Sequence, residues 1–187
     1  MIAIKEKDAI YFVSPLKYQN CLNSAKLDYS FEENWDVWRV NDGKGTIVMV
    51  GARNNRLIDL LRYSDVFDCE MSKDGMNEVF AKIRDTVRDT NCIAKKGELG
   101  ATVCIARGNK GYRISPNGAV FELGGFECVQ ECEEMMLATN EYCKSIPDVI
   151  ERIRRMYDRI GELDCRQYYP VAVVSTKDDK GILLKND

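Results

Sequence analysis

The chain has 187 residues, with 27 Lys and Arg against 30 Asp and Glu, so its net charge is -3. This balance excludes the broad positive field of a dedicated nucleic-acid-binding protein, and we expect no nucleic-acid partner. The apolar content of 45% supports a buried core, and we predict a single domain over residues 1–187.

The chain contains no histidine, and it contains eight cysteines. Without histidine, Ser-His-Asp and Cys-His catalysis and histidine zinc sites are excluded, so an enzyme here must use an amine, a lysine, carboxylates or a cysteine activated in another way. No apolar run approaches the roughly 20 residues that cross a bilayer, and residues 1–8 do not resemble a secretory signal. We therefore expect a cytoplasmic protein without a membrane partner.

The cysteines are interpreted as buried thiols in a reducing compartment, because most lie in apolar runs and no export signal precedes them. Cys128 and Cys132 are four residues apart and are expected to share one helix face as a core pair. Without a CxxC pair or a histidine, we predict no metal site and no cofactor.

The first half of the chain predicts two hairpins followed by two helices. Residues 2–5 pair with 9–13, and residues 35–40 pair with 46–50 across a glycine-containing turn. The first helix follows residue 51, and Ser72 or Asp74 caps the second. Both helices have apolar residues at helical spacing, namely Leu57, Ile58, Leu60 and Leu61 in the first and Met76, Val79, Phe80, Ile83 and Val87 in the second.

The second half repeats this order. Strands are predicted at residues 102–106, 112–115 and 119–123, with Gly108–Gly111 interpreted as a turn because it lacks the spacing of a phosphate loop. Gly124-Gly125 then leads into a helix that extends through Ala138, and another begins near Pro147 and ends at Gly161. Two closing strands follow, at residues 171–175 and 182–184.

Three segments, residues 46–52, 101–106 and 119–125, resemble the proteasome and HslV branch of the N-terminal nucleophile (Ntn) hydrolases. The resemblance implies an α/β (α+β) fold, a four-layer αββα sandwich of two mostly antiparallel sheets flanked by helix pairs. It also implies a homo-oligomer, for which a ring is one form, while the protein partner stays unknown.

In that family an N-terminal threonine attacks, its own α-amine is the base, and a nearby lysine lowers the pKa of the amine. The resemblance puts Met1 within a residue or two of the threonine, Gly51 at the oxyanion glycine, Gly124 at the supporting serine and Asp164 at an acidic position. The lysine falls near residues 35–38, which read Trp-Asp-Val-Trp. A thioether is not a nucleophile, so we assign no catalytic residue.

Three functions remain open from the sequence. The first is a catalytically inactive proteasome-like or HslV-like subunit with an assembly or binding role. The second is an Ntn-type peptidase or amidohydrolase activated by processing, for which Cys21 is the stronger candidate nucleophile and Ser14 the weaker, because it precedes Pro15. The third is a peptide or small-ligand binding module, with Trp35, Trp38 and Tyr11 lining a cleft between the sheets or simply packing in the core.

Overall fold

The computed structural model describes residues 1–15, 36–52, 55–88, 98–129, 133–164 and 168–185. Ten strands and four helices follow one another in these ranges: β1 Ile2–Lys5, β2 Ile10–Pro15, β3 Val37–Arg39, β4 Ile47–Ala52, α1 Asn55–Arg62, α2 Lys73–Val87, β5 Ala101–Arg107, β6 Lys110–Ile114, β7 Val120–Glu122, β8 Phe126–Cys128, α3 Glu133–Cys143, α4 Val149–Asp164, β9 Val171–Ser175 and β10 Ile182–Leu184.

The strands form two five-stranded sheets. The first sheet has the order β10-β9-β2-β1-β8, and the second has the order β3-β4-β5-β6-β7. Every pairing in both sheets is antiparallel. The second sheet is assembled from neighbours in sequence, whereas β1 and β2 of the first sheet pair with the distant strands β8 and β9.

Three apolar layers hold the sandwich together. Helices α1 and α2 cover the outer face of the second sheet, and α3 and α4 cover the outer face of the first. A third layer lies between the sheets and includes Phe12, Met49 and Cys104. The alternation of β4 explains this arrangement, because Ile47 and Met49 face the first sheet while Val48 and Val50 face the helices. The predicted αββα sandwich is confirmed.

Helices α2 and α4 pack as their patterns predict, and α2 begins at one of its predicted caps. Ser72 is the N-cap of α2, and its hydroxyl accepts a hydrogen bond from Gly75 N at 3.1 Å. The predicted apolar face of α2 is buried in the layer against the second sheet. In α4, the inward residues Ile153, Met156 and Tyr157 are buried against the first sheet.

Three local predictions are wrong. Gly124-Gly125 does not lead directly into a helix, because β8 follows it and pairs with β1. Cys128 therefore lies in a strand and cannot share a helix face with Cys132, which is outside the described residues. Gly161 does not end α4, which continues to Asp164; one glycine costs a helix only about 1 kcal/mol, and tertiary packing overrides so small a preference.

Cys69, Cys104, Cys128 and Cys143 form no disulfide among the described residues, and the other four cysteines lie outside the described ranges. Within those ranges, no helix combines the length and the apolar character that crossing a membrane requires.

Candidate functional site between the sheets

The layer between the sheets is where the resemblance places catalytic chemistry, and Met1 lies in it. The Met1 side chain is 9% exposed and packs in the same cluster as Ala3 and Met49. The Met1 carbonyl accepts hydrogen bonds from Val129 N at 2.9 Å and from Cys128 Sγ at 3.6 Å. The start of β1 is therefore held by the last residue of β8 and the residue after it.

Ser14 and Asp36 form a polar contact between the two sheets. Ser14 follows Phe12 on the inner face of β2 and is fully buried, and Asp36 directly precedes β3. The Ser14 hydroxyl donates to Asp36 Oδ2 at 3.3 Å, while the Asp36 carbonyl accepts from Val50 N at 2.8 Å. This hydrogen bond therefore links the inner face of β2 to the start of β3.

Cys104 is the buried thiol of the same layer. It lies opposite Met49 on β4 and opposite Arg113 on β6. Burial raises the pKa of Cys104 to about 12, and the positive charge of Arg113 offsets this only in part. The thiolate is the reactive form of cysteine, so this side chain is inert at neutral pH.

A salt bridge joins the sheets near Cys104. Arg113 Nη1 on β6 donates to Glu127 Oε2 on β8 at 3.0 Å, and both side chains are largely buried. The other carboxylate oxygen of Glu127 accepts from Gly124 N at 3.3 Å. The Arg113 guanidinium also lies 5.0 Å from the centre of the Phe121 ring. This cationic group is therefore already committed to structural contacts.

The four residues selected by resemblance are not gathered at one point. Gly51 lies on the same face of β4 as Met49, opposite Thr102, and so borders the layer that contains Met1. Gly124 is exposed next to Gly125, whose carbonyl accepts from Lys5 N at 3.0 Å. Because Lys5 ends β1, Gly124 lies about 13 Å of extended strand away from Met1. Asp164 is the last residue of α4, outside the first sheet.

Of the two alternatives for Trp38 and Tyr11, the structure has packing against the helices and not a shared groove between the sheets. Trp38 packs with α1 and α2, whereas Tyr11 packs with α3 and α4, so the two rings lie on opposite sides of the sandwich. Successive strand residues alternate between faces, and both rings alternate away from the layer between the sheets. Trp35 lies outside the described residues.

Trp38 instead lines a cavity of about 1260 Å³ that opens near β3, the end of α1 and the turn between β9 and β10. The Arg62 guanidinium lies 5.1 Å from the centre of the Trp38 ring, and Phe67 meets this ring edge-on at 5.9 Å. The cavity is also lined by charges of both signs, from Arg39, Lys44, Lys180, Asp65, Asp68 and Asp179. The cavity is larger than the roughly 300–1,000 Å³ that is typical of ligand pockets, and its lining has no excess of either charge.

Three solved structures share this architecture. Thiobacillus denitrificans BPH matches with a TM-score of 0.71 at 15% identity, over 93% of this chain and 96% of that chain. The same protein in complex with epoxomicin matches with a TM-score of 0.69 at 12% identity, over 93% and 96%. The fold is that of the proteasome-like Ntn hydrolases. Eukaryotic HslV from Trypanosoma brucei matches with a TM-score of 0.59 at 12% identity, over 93% and 97%.

No protein-family model and no curated protein matches the chain. The likeness to the solved structures therefore concerns the proteasome-like fold alone.

Asp36 is a residue of the layer between the sheets that the sequence analysis did not single out. It lies in the stretch where the resemblance expects a lysine, and its partner Ser14 was considered only as a new chain start. Strand alternation in β2 could have placed Ser14 on the inner face with Phe12. Near Met1, the contacts come from Cys128 and Val129, and Gly124 lies at the other end of β1.

Proposed function

We propose that this chain is a proteasome-like subunit that does not carry out threonine-type hydrolysis and that acts through assembly or binding. The observation that carries the proposal is the carboxylate of Asp36, hydrogen-bonded to Ser14, in the stretch where the resemblance expects a lysine. Cys104, with its pKa of about 12, supplies no alternative nucleophile in this layer.

The electrostatic consequence of a carboxylate is opposite to that of a lysine. A nearby ammonium group lowers the pKa of an α-amine and so provides the neutral amine that a threonine hydroxyl needs as its base. A nearby carboxylate stabilises the protonated amine and raises its pKa, which removes the base at neutral pH. The Asp36 carboxylate therefore supports a subunit without threonine-type hydrolysis. This holds even if processing or an extension were to place a hydroxyl or thiol next to the α-amine.

The assembly role is supported by apolar side chains on the outer helices. Tyr142 on α3 is 79% exposed, and Leu137 on α3 and Leu163 on α4 are also exposed. Together with the resemblance to a family that associates through its helices and strand edges, this surface supports a homo-oligomer, for which a ring is one form.

The first experiment measures the intact mass and the N-terminal sequence of the purified, untagged full chain, before and after incubation with epoxomicin. We expect a chain that begins at Met1 and gains no mass from epoxomicin. Thiobacillus denitrificans BPH, which has been solved in complex with epoxomicin, is the positive control. An adduct on this chain, or an N-terminus at Cys21 or Ser14, would refute the inactive assignment and lead directly to peptide and amide hydrolysis assays.

The second experiment tests assembly by light scattering coupled to size-exclusion chromatography at high micromolar concentration. We expect a mass that is a multiple of the 21.4 kDa of one chain. A species that remains at 21.4 kDa across the concentration range would refute the assembly role, whatever the outcome with epoxomicin.

A further inference from the structure

The turn between β6 and β7 contains an Asn-Gly pair, Asn117-Gly118, and no other asparagine in the sequence is followed by glycine. Asn117 is exposed, and the turn is closed by a hydrogen bond from Gly118 N to Ser115 O at 2.8 Å. Gly118 has a φ of +87°, a left-handed conformation that favours glycine, and a Cβ there would lie 2.5 Å from Phe80 Cε1. The fold therefore requires glycine directly after Asn117.

Asparagine is a chemically labile residue, and a following glycine gives it a specific reaction. The backbone nitrogen of the glycine loses its proton and attacks Cγ of the asparagine, so that a C–N bond forms. The side-chain amide nitrogen then leaves as ammonia, with the proton that the backbone nitrogen lost. The cyclic succinimide takes up water at one of its two carbonyl carbons and opens to aspartate or isoaspartate. Water is the only co-reactant, and Gly118 has no side chain to obstruct the attack.

Two hydrogen bonds of the turn act on this reaction in opposite directions. Asn117 Oδ1 accepts from Ala119 N at 3.1 Å. A donor is therefore already aimed at the oxygen on which negative charge develops when Cγ is attacked. The Gly118 N–H is engaged with Ser115 O, and this bond must break before the nitrogen can attack. The folded turn thus favours the electrophile and restrains the nucleophile.

We propose that Asn117 is a site of self-modification, at which the folded chain converts asparagine to aspartate and isoaspartate in water. Local opening of the hydrogen bond between Gly118 N and Ser115 O sets the rate of conversion. This inference goes beyond the proposed assembly role and does not depend on it, because the reaction needs no partner.

The isoaspartate product changes the packing beneath the turn. Its backbone runs through Cβ and Cγ, which adds one carbon between Cα of residue 117 and Gly118 N. Gly118 is pressed against the Phe80 ring of α2, and Pro116 O accepts from Leu99 N at 2.8 Å. Leu99 is buried in the layer between the second sheet and its helices. The lengthened turn loses these contacts, so the modified chain is less stable and its Leu99 amide exchanges faster with solvent.

Peptide mapping by mass spectrometry tests the site with the full-length chain, incubated for several days at pH 8. Asn117 should gain the mass difference between water and ammonia. Asn109 is the internal control, because it is exposed in the turn between β5 and β6 but is followed by Lys110, and it should keep its amide. Conversion of Asn117 should be at least about fivefold faster in urea, the equivalent of one hydrogen bond of about 1 kcal/mol. It should be slower at pH 6, because the attacking nitrogen must lose its proton.

Two variants separate the new charge from the longer backbone. Freshly prepared Asn117→Asp carries the carboxylate on an ordinary backbone, and its Oδ1 can still accept from Ala119 N, so its urea midpoint should equal that of the wild type. Asn117→Gln should gain no isoaspartate at this position on incubation, because its longer side chain places the carbonyl carbon one bond farther away. The incubated wild type, enriched in isoaspartate, should unfold at a lower urea concentration than either variant.

Three results would contradict the inference. The site is refuted if Asn117 keeps its amide in the folded chain while the urea-unfolded chain converts. It is also refuted if Asn109 converts as fast as Asn117, because the following glycine then does not select the site. A chain that contains isoaspartate but keeps the urea midpoint and the Leu99 exchange rate of the wild type refutes the structural consequence. These measurements do not involve the mass of the assembly, so their failure leaves the assembly role unaffected.

Discussion

Asp42 is the centre of a buried polar network that ties the β3–β4 turn to β5. Its carboxylate accepts hydrogen bonds from Thr46 Oγ1 at 2.5 Å, from Lys44 N at 2.8 Å and from Arg107 Nη2 at 3.2 Å. Arg107 also donates to Thr46 Oγ1 at 2.7 Å and to the carbonyl of Cys69 at 3.3 Å. The Asp42 side chain is 5% exposed, although Asp42 also lines the cavity beside Trp38, so these hydrogen bonds are largely shielded from solvent.

Replacing Asp42 by alanine should therefore destabilise the protein strongly. The change removes three hydrogen bonds, one of them charged, and leaves the Arg107 guanidinium without its carboxylate and the buried Thr46 hydroxyl without its acceptor. Breaking a fully buried ion pair costs about 3–5 kcal/mol. Because the Arg107 side chain is 21% exposed, we expect the lower end of that range, about 3 kcal/mol. With a urea m-value of about 2 kcal/mol/M, the midpoint of unfolding falls by about 1.5 M.

The pH dependence has a definite sign. Burial by itself raises the pKa of Asp42, but the hydrogen bonds from Thr46 and Lys44 and the charge of Arg107 outweigh it, so the pKa lies below its ordinary value. An aspartate in the unfolded chain has a pKa of about 3.9. A carboxyl whose pKa is lower in the folded state stabilises the fold fully at pH values above about 3.9, and this contribution is lost as the pH falls through the folded-state pKa. The difference between wild type and Asp42→Ala should therefore shrink below about pH 4.

Urea unfolding at pH 7 and pH 3.5, at one fixed protein concentration, measures both effects. The control is Asp85→Ala, because Asp85 is 67% exposed and its ion pair with Arg88 lies on the helix surface, so its loss should cost less than about 0.5 kcal/mol. A cost below about 1 kcal/mol for Asp42→Ala at pH 7, or a cost that does not change at pH 3.5, would refute the reasoning.

Three further predictions concern single positions. At pH 8 a thiol of pKa about 12 is ionised to only about one part in 10⁴, so peptide mapping should find Cys104 unmodified by iodoacetamide in the native protein and modified in urea; native modification would contradict its burial. Ser72→Ala should cost about 1 kcal/mol in urea unfolding, because α2 loses the bond to Gly75 N, and an unchanged midpoint would show that the cap is dispensable. Gly75→Ala should destabilise by about 1–3 kcal/mol despite the better helix propensity of alanine, because its Cβ would lie 2.2 Å from the Glu70 carbonyl oxygen; a more stable variant would mean that Glu70 moves aside freely.

Much of the fold could be predicted because each element signals locally which of its faces is buried. The two closing strands begin and end at the predicted residues 171–175 and 182–184, and the apolar spacing of α2 and α4 identifies their inner faces. Glycine turns separate the hairpins of the second sheet, where partners are neighbours in sequence. The resemblance to the proteasome-like fold rests on this same order of strands and helices along the chain.

The strand β8 could not be predicted from local sequence patterns, because it forms through pairing with a distant segment. Its residues, Phe126–Cys128, are too few to show an alternation, and they form a strand because β1 offers its edge from the opposite end of the chain. Because β8 was not predicted, the following helix was expected to begin too early in the chain. Gly124 was therefore expected near Met1, where the structure has Cys128 and Val129.

The sequence by itself determined the chemistry that is available: no histidine, eight cysteines, and an aspartate in the stretch where a lysine was expected. Only the tertiary structure decided which of these groups meet. Ser14 and Asp36 lie on different sheets, and the contact between them depends on how the two sheets stack. Local periodicity reports the direction in which a side chain points, but the group it meets there is set by strand pairing and layer packing between segments far apart in the chain.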